Sequence, residues 1–232
     1  MQTLAGKVAM ITGAQGGLGT FATRAFLEAG ATVAGVSRSI RASDFAHPSF
    51  AAFPAALSNG TAARQVAGEV LERFGRIDIL VHIMGGFSGG QTVADTDDDT
   101  VEQMLDVNYR SAFYVARAVL PAMRKQRTGR FLAIASRAAA EPQPTIGAYA
   151  ASKAALVALV RTIALENRDA GIAANTILPA TMDTPANRAA DPQADYSQWV
   201  PPSFVAALLV HLASDAGAAI TGAAIPVYGR QA

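Results

Sequence analysis

The segment Thr12-Gly13-Ala14-Gln15-Gly16-Gly17-Leu18-Gly19 constrains this chain more than any other. It follows a short apolar run at 7–11 and opens an amphipathic stretch at 17–28, so a strand must turn into a helix within a few residues. A glycine-rich turn in that context is what dinucleotide binding requires. Gly13 allows the tight turn, Gly17 lets backbone approach a pyrophosphate, and Gly19 packs the helix onto the sheet. Gln15 and Leu18 lie between them as candidate contacts, and the helix start adds free N–H groups and a positive dipole end. A ligand-free tight turn uses the same glycines, so the loop needs support from the rest of the chain.

Short apolar runs alternate with longer amphipathic stretches, the pattern of strand-helix units around a buried parallel sheet. Strands are expected at 7–11, 32–36, 53–57, 77–84, 130–135, 172–178 and 224–228. Helices are expected at 17–28, 62–74, 98–125, 149–168 and 202–213. This predicts a doubly wound, Rossmann-type seven-stranded α/β sheet in three layers, α/β/α, formed by residues 1–232 as one domain. The ligand crevice of such a sheet lies at the carboxyl ends of its strands. Residues 39–54 read as an irregular crossover. Residues 181–202, rich in Pro, Asp, Asn and Ala, are too long for an ordinary connection and read as a mobile lid over the site.

Composition limits the function classes. The 232 residues are 51% hydrophobic, enough for one large core. With 19 basic and 18 acidic residues the net charge is +1, and no basic stripe exists to hold nucleic acid. There is no cysteine, so redox chemistry would come from a cofactor. Mean hydropathy is +0.24, yet no uninterrupted apolar run of membrane-spanning length occurs and the N-terminus lacks the pattern of a signal peptide. The expectation is a cytoplasmic protein without membrane contact.

Tyr149-Ala150-Ala151-Ser152-Lys153 opens a helical stretch. Residues four apart share one helix face, so phenol and ammonium project together. A neighbouring cation favours the phenolate and is expected to bring its pKa toward the working range. Ser136 ends the strand at 130–135, thirteen residues before Tyr149, and Asn108 stands in Asp106-Val107-Asn108-Tyr109.

With the glycine loop, these residues resemble the short-chain dehydrogenase/reductase family, in its single-domain branch. Paired Gly16 and Gly17 also fit the loop of the longer, epimerase-like members, but the chain has no room for their added substrate domain. The resemblance implies hydride transfer between a nicotinamide and a small carbonyl or alcohol. Tyr149 would be the proton donor, Lys153 would tune it and hold the nicotinamide ribose, and Ser136 would hydrogen-bond the substrate oxygen. Asn108 would be the helix-kinking residue whose backbone holds a proton-relay water. Ser152 is the rival serine, set aside by register.

An acidic residue ending the second strand would bind the ribose hydroxyl of NAD, whereas a nearby Arg accommodates a 2′-phosphate. Here Ser37 and Arg38 occupy those positions, favouring NADP(H) with NAD(H) as the alternative. The segment from Pro179 through Thr181 to Thr184 corresponds to the family's nicotinamide-side segment. Two departures stand out. His82-Ile83-Met84-Gly85 replaces the usual two Asn and Ala-Gly, leaving Ile83 and Met84 to brace the strands by packing, with Gly85 beside the adenosine ribose. Ala56 replaces an adenine-flanking Asp, leaving Leu57 as the contact.

Phe87, Met182 and Trp199 would form an apolar, aromatic substrate wall. Residues 85–90 and 178–199 are locally similar to quinonoid dihydropteridine reductases, and the helix around Asn108 to 3-oxoacyl-carrier-protein reductases. Asp97-Asp98-Asp99 reads as an acidic helix start rather than a metal site, and His47, His82 and His211 lack ligand spacing. The resemblance implies a homo-oligomer, tetramer or dimer, built on the two long helices. A nucleotide-binding regulator without turnover is the competing class.

Overall fold

The computed structural model describes residues 2–231. Its element order is β1 (Val8–Thr12), α1 (Gly17–Glu28), β2 (Thr32–Ser37), β3 (Phe50–Pro54), α2 (Gly60–Phe74), β4 (Ile79–His82), α3 (Asp98–Leu105), α4 (Ser111–Gln126), β5 (Gly129–Ile134), α5 (Gly147–Glu166), β6 (Ile172–Pro179), α6 (Pro185–Ala190), α7 (Pro202–Ala213) and β7 (Ala224–Val227). The seven strands run parallel in the order β3-β2-β1-β4-β5-β6-β7. The Rossmann-type sheet expected from the strand-helix alternation is therefore present. The order reverses between β1 and β4, and at such a switch point the strand ends leave a crevice.

Strand alternation builds two cores. In β1, Val8 and Met10 face the layer of α2, α4 and α5, while Ala9 and Ile11 face α1 and α7. In β5, Phe131 and Ala133 take the first side and Leu132 and Ile134 the second. Because both faces are covered, the strands read as continuous apolar runs. Asp78, 3% exposed, ties the sheet's amino end by accepting from Val8 N at 2.8 Å and pairing with Arg76.

Several boundaries differ from the sequence expectation. β3 lies three residues earlier than 53–57. Phe50 packs against Phe45 at 4.8 Å and fills the space over Gly35, which fixes the register on β2. Ala55 makes the last ladder bond to Ser37 and the chain then leaves the sheet toward Leu57. β4 is confined to Ile79–His82 within the expected 77–84. The helix expected at 98–125 is broken by a π turn, Asp106–Arg110, with Asn108 inside it. Residues 181–202 carry α6 and a short turn at Tyr196–Gln198, and their two ends pair at Met182 and Val200. α5 does reach the length and mean hydropathy, 1.4, of a membrane span. One of its faces, including Lys153, Leu156, Val160 and Ile163, is buried in this fold.

The strands are braced where Asn was missing, but not by Ile83 and Met84 alone. Those two pack on opposite cores, while the wholly buried His82 is hydrogen-bonded through Nδ1 to Thr12 Oγ1 (2.9 Å) and through Nε2 to Ser111 Oγ (3.3 Å). Ser111 also donates to Val107 O of the π turn at 2.8 Å. Burial, with the Lys153 charge adding to it, lowers the His82 pKa to about 3, so the imidazole is neutral and offers one donor and one acceptor. One side chain thus links β1, β4 and the start of α4. His82→Leu is expected to lower folding stability by about 1–3 kcal/mol in urea unfolding, because two buried hydroxyls lose a partner. A variant as stable as the wild type would show that these bonds contribute nothing net.

Candidate active site

A cleft of about 1520 Å³ opens at the carboxyl ends of the strands. Its lining includes Gly13, Gln15, Gly17, Leu18, Ser37, Arg38, Leu57 and Gly85 along one half. Phe87, Ser136, Tyr149, Lys153, Pro179, Thr181, Met182, Thr184 and Trp199 line the other. Every site residue expected from the sequence is on that lining except Gly19 and Asn108, which stand directly behind it.

The glycine loop forms its turn by close backbone approach. Gly13 has φ +70°, and a Cβ there would lie 2.8 Å from Met84 N. A Cβ on Gly19 would lie 2.0 Å from Gly13 O, so the first turn of α1 rests on the loop itself. Gly17 differs from expectation: the space its missing Cβ leaves is filled by Thr184, whose Cγ2 would be 3.0 Å away. Among the described residues, α1 has no side-chain cap, and its first turn holds no acidic residue, so its N–H groups face the cleft without a competing anion there. Gln15 does not direct its amide inward; Nε2 donates to Asp44 at 2.8 Å and Oε1 accepts from Ser39 at 3.0 Å. Its backbone N donates to Ser37 Oγ at 3.3 Å. Arg38 is exposed and makes no side-chain hydrogen bond or ion pair among the described residues.

Behind Tyr149, the wholly buried Asn108 clasps Gly86: Nδ2 donates to Gly86 O at 3.1 Å and Oδ1 accepts from Gly86 N at 3.0 Å. Nδ2 also reaches Ser152 Oγ at 3.1 Å, and Ser152 donates to Tyr149 O at 2.7 Å. Ser152 is therefore buried behind the helix and only Ser136 shares the cleft wall with Tyr149. A Cβ on Gly85 would lie 2.9 Å from Asn108 Oδ1 and 3.0 Å from Lys153 Nζ, so this glycine makes room for the site's own side chains.

Lys153 is 5% exposed; its Nζ donates to Ile134 O at 3.0 Å and lies 5.9 Å from the centre of the Tyr149 ring. Burial lowers its pKa to about 8. The Tyr149 phenol is raised above its ordinary value by burial, with hydrogen bonding from Ser136 opposing that. The expected lowering by Lys153 is thus not found: desolvation prevails, and the ammonium is turned to the Ile134 carbonyl. Phe87, two-thirds exposed, packs edge-on against Tyr149 at 5.0 Å, and Trp199 packs on Tyr196 at 4.8 Å. His82 and Arg137, which lines the cleft one residue after Ser136, carried no signal in the sequence. Only their remote partners reveal them.

This cleft suits a dinucleotide: glycines without side-chain bulk, an uncapped helix start, and a phenol, a hydroxyl and an ammonium at its inner end. Comparison with known proteins agrees. The family model of the short chain dehydrogenases matches residues 7–195. The chain is 31% identical over 193 residues to short chain dehydrogenase adrF of Penicillium rubens, covering 83% of this chain and 76% of that protein. It is 29% identical over 241 residues to the 3-oxoacyl-[acyl-carrier-protein] reductase FabG of Thermotoga maritima, covering 97% and 98%. The structure of 3-ketoacyl-(acyl-carrier-protein) reductase from Brucella melitensis complexed with NADH superimposes with a TM-score of 0.88, at 26% identity and over 99% and 100% of the two chains. The local likeness to quinonoid dihydropteridine reductases is not carried by these relatives. The chain belongs to the short-chain dehydrogenase/reductase family and is an oxidoreductase of the nicotinamide-dependent kind.

Proposed function

We propose that this protein is a cytoplasmic NADP(H)-dependent oxidoreductase that interconverts a carbonyl and an alcohol, with Tyr149 as the general acid and base. The observation that carries this reading is the convergence of Tyr149, Ser136 and Lys153 on the inner end of a cleft whose other half is the glycine loop. When bound, the nicotinamide supplies or accepts the hydride. Tyr149 Oη gives its proton to the carbonyl oxygen in reduction and takes it back in oxidation, while Ser136 Oγ donates a hydrogen bond to the same oxygen. The raised phenol pKa keeps Oη protonated at neutral pH, which suits reduction. Lys153 Nζ supplies the positive charge behind Oη and holds the nicotinamide ribose, with Asn108 fixing the Gly86 backbone beside it.

The adenosine end is assigned to Leu57, Ser37 and Arg38, which is unpaired among the described residues. A free guanidinium where an acidic residue would read the ribose hydroxyls supports a 2′-phosphate. Pro179, Thr181 and Thr184 border the nicotinamide side. Phe87, Met182 and Trp199 give the substrate an apolar, aromatic wall, and residues 181–202 act as its lid. A homo-oligomer, tetramer or dimer, would use α4 and α5, where Phe113 and Leu165 are 39% and 60% exposed.

Oxidation of NADPH, and separately of NADH, is to be followed over ketones, 3-oxoacyl thioesters and quinonoid pterins. Tyr149→Phe is expected to reduce turnover of any accepted substrate about 10²- to 10⁴-fold while NADPH affinity stays within about twofold. Full activity in that variant overturns the mechanism, and tight NADPH binding without turnover of any substrate would make the protein a nucleotide-binding regulator. The profile of kcat/KM for reduction is expected to fall as pH rises through about 8, where the Lys153 ammonium loses its proton. A profile flat to high alkalinity would exclude that charge from the step. Arg38→Ala is expected to raise KM for NADPH about 10- to 100-fold and leave KM for NADH nearly unchanged. Equal effects on both would remove Arg38 from cofactor choice.

A further inference from the structure

We propose that Arg137 is a positioning residue that, through the C-terminal turn, ties the neck of the 181–202 segment to the wall carrying Ser136. This rests on the function above only in giving Ser136 and the segment their catalytic meaning; the tie itself is a matter of geometry. Ser136 caps the short turn Arg137–Ala139 by accepting from Ala138 N at 3.2 Å, so Arg137 is anchored at the serine. Its guanidinium is engaged on three sides. Nε donates to Glu141 Oε2 at 2.7 Å, Nη1 donates to the Gln231 carbonyl, and Cζ lies 4.7 Å over the Tyr228 ring.

The far end of the tie is the neck of the segment. Gln231 Nε2 donates to Thr181 O at 3.0 Å, and that carbonyl also accepts from Val200 N at 2.9 Å. Val200 O in turn accepts from Asp183 N at 2.9 Å, so the two ends of the segment are zipped together where the tail touches them. Gly229, at φ +60°, brings the tail so close that a Cβ there would lie 3.3 Å from Val200 Cγ2. The chain of contacts runs from Ser136 through Arg137 and Gln231 to Thr181 and Val200.

A surface ion pair such as Arg137 with Glu141 contributes about 0–1 kcal/mol by itself and would need no tail. A receptor for a substrate anion would keep its fork free, whereas Nε and Nη1 are already used and Glu141 offsets the charge. Cross-linking three separate strand ends explains all the contacts together. Loss of the tie should free the segment that carries Met182, Thr184 and Trp199 without disturbing the sheet.

The test compares Arg137→Met, which cuts the wall side, with Gln231→Ala, which removes the amide to Thr181, and with the double variant, all in the full chain. Backbone hydrogen exchange over residues 183–199 is expected to rise about tenfold or more in each single variant, with global unfolding unchanged. The double variant is expected to exchange no faster than the faster single one, because both substitutions cut one link. With an accepted substrate, KM should rise about tenfold while kcat changes less than about twofold. Unchanged exchange in Gln231→Ala, or effects that multiply in the double variant, would overturn the tie. If the wild type turns over nothing, the functional reading fails, yet the exchange measurement still decides this one.

Discussion

The geometry of the cleft depends on a buried ammonium. Placing Lys153 Nζ where only 5% of the residue is exposed is unfavourable unless the charge finds oriented dipoles, and Ile134 O at 3.0 Å is one. That bond holds α5 to the end of β5. The same nitrogen lies where a Cβ on residue 85 would come within 3.0 Å, so glycine there lets the chain after β4 pass close without displacing it. Asn108 closes the arrangement by clasping Gly86 on both its N–H and its C=O. Four elements are thereby drawn to one point, and the lowered lysine pKa, about 8, is the residue of a desolvation that the dipoles only partly offset.

What could be read in the sequence was chemistry that works over a few residues. A turn that reverses a strand into a helix needs glycine at set spacing, and a phenol and an ammonium on one helix face need a spacing of four positions. Strand positions followed from apolar runs wherever both faces are covered. β3 lies earlier than the sequence suggests because the run from Phe50 to Leu57 is apolar throughout, and the packing of Phe50 over Gly35 decides which half joins the sheet. The π turn around Asn108 follows from its reach to Gly86 and Ser152, positions remote in sequence. The direction of the Tyr149 shift departs from the sequence expectation for a related reason. Spacing tells that a cation is near, but not that it points at a carbonyl while the phenol is desolvated.

His82 shows how a motif can be lost while its physical task is kept. Two Asn side chains and one His can each satisfy donors and acceptors between adjacent strands, but the His does so only when neutral. Burial enforces that, with the nearby Lys153 charge pushing the same way. The buried cation and the buried imidazole are therefore compatible neighbours. A protonated His82 would add a second positive charge to the site and take away the acceptor its hydroxyl partners use.

The two halves of the cleft are made of different material, and this governs how far similarity can inform function. The cofactor half is built from backbone: glycines at close approach, helix N–H groups, and strand ends whose placement is set by the sheet. Such features tolerate almost any side chain elsewhere, which fits the Brucella melitensis reductase superimposing with a TM-score of 0.88 at only 26% identity. The half proposed to take the substrate is built from side chains on the connections after β4, β5 and β6, including Phe87, Arg137, Met182 and Trp199. Each can change without moving a strand. Membership of the family rests on a match that runs from residue 7 to 195, whereas the identity of the substrate depends on the second half, where Phe87 packs edge-on against the Tyr149 ring at 5.0 Å.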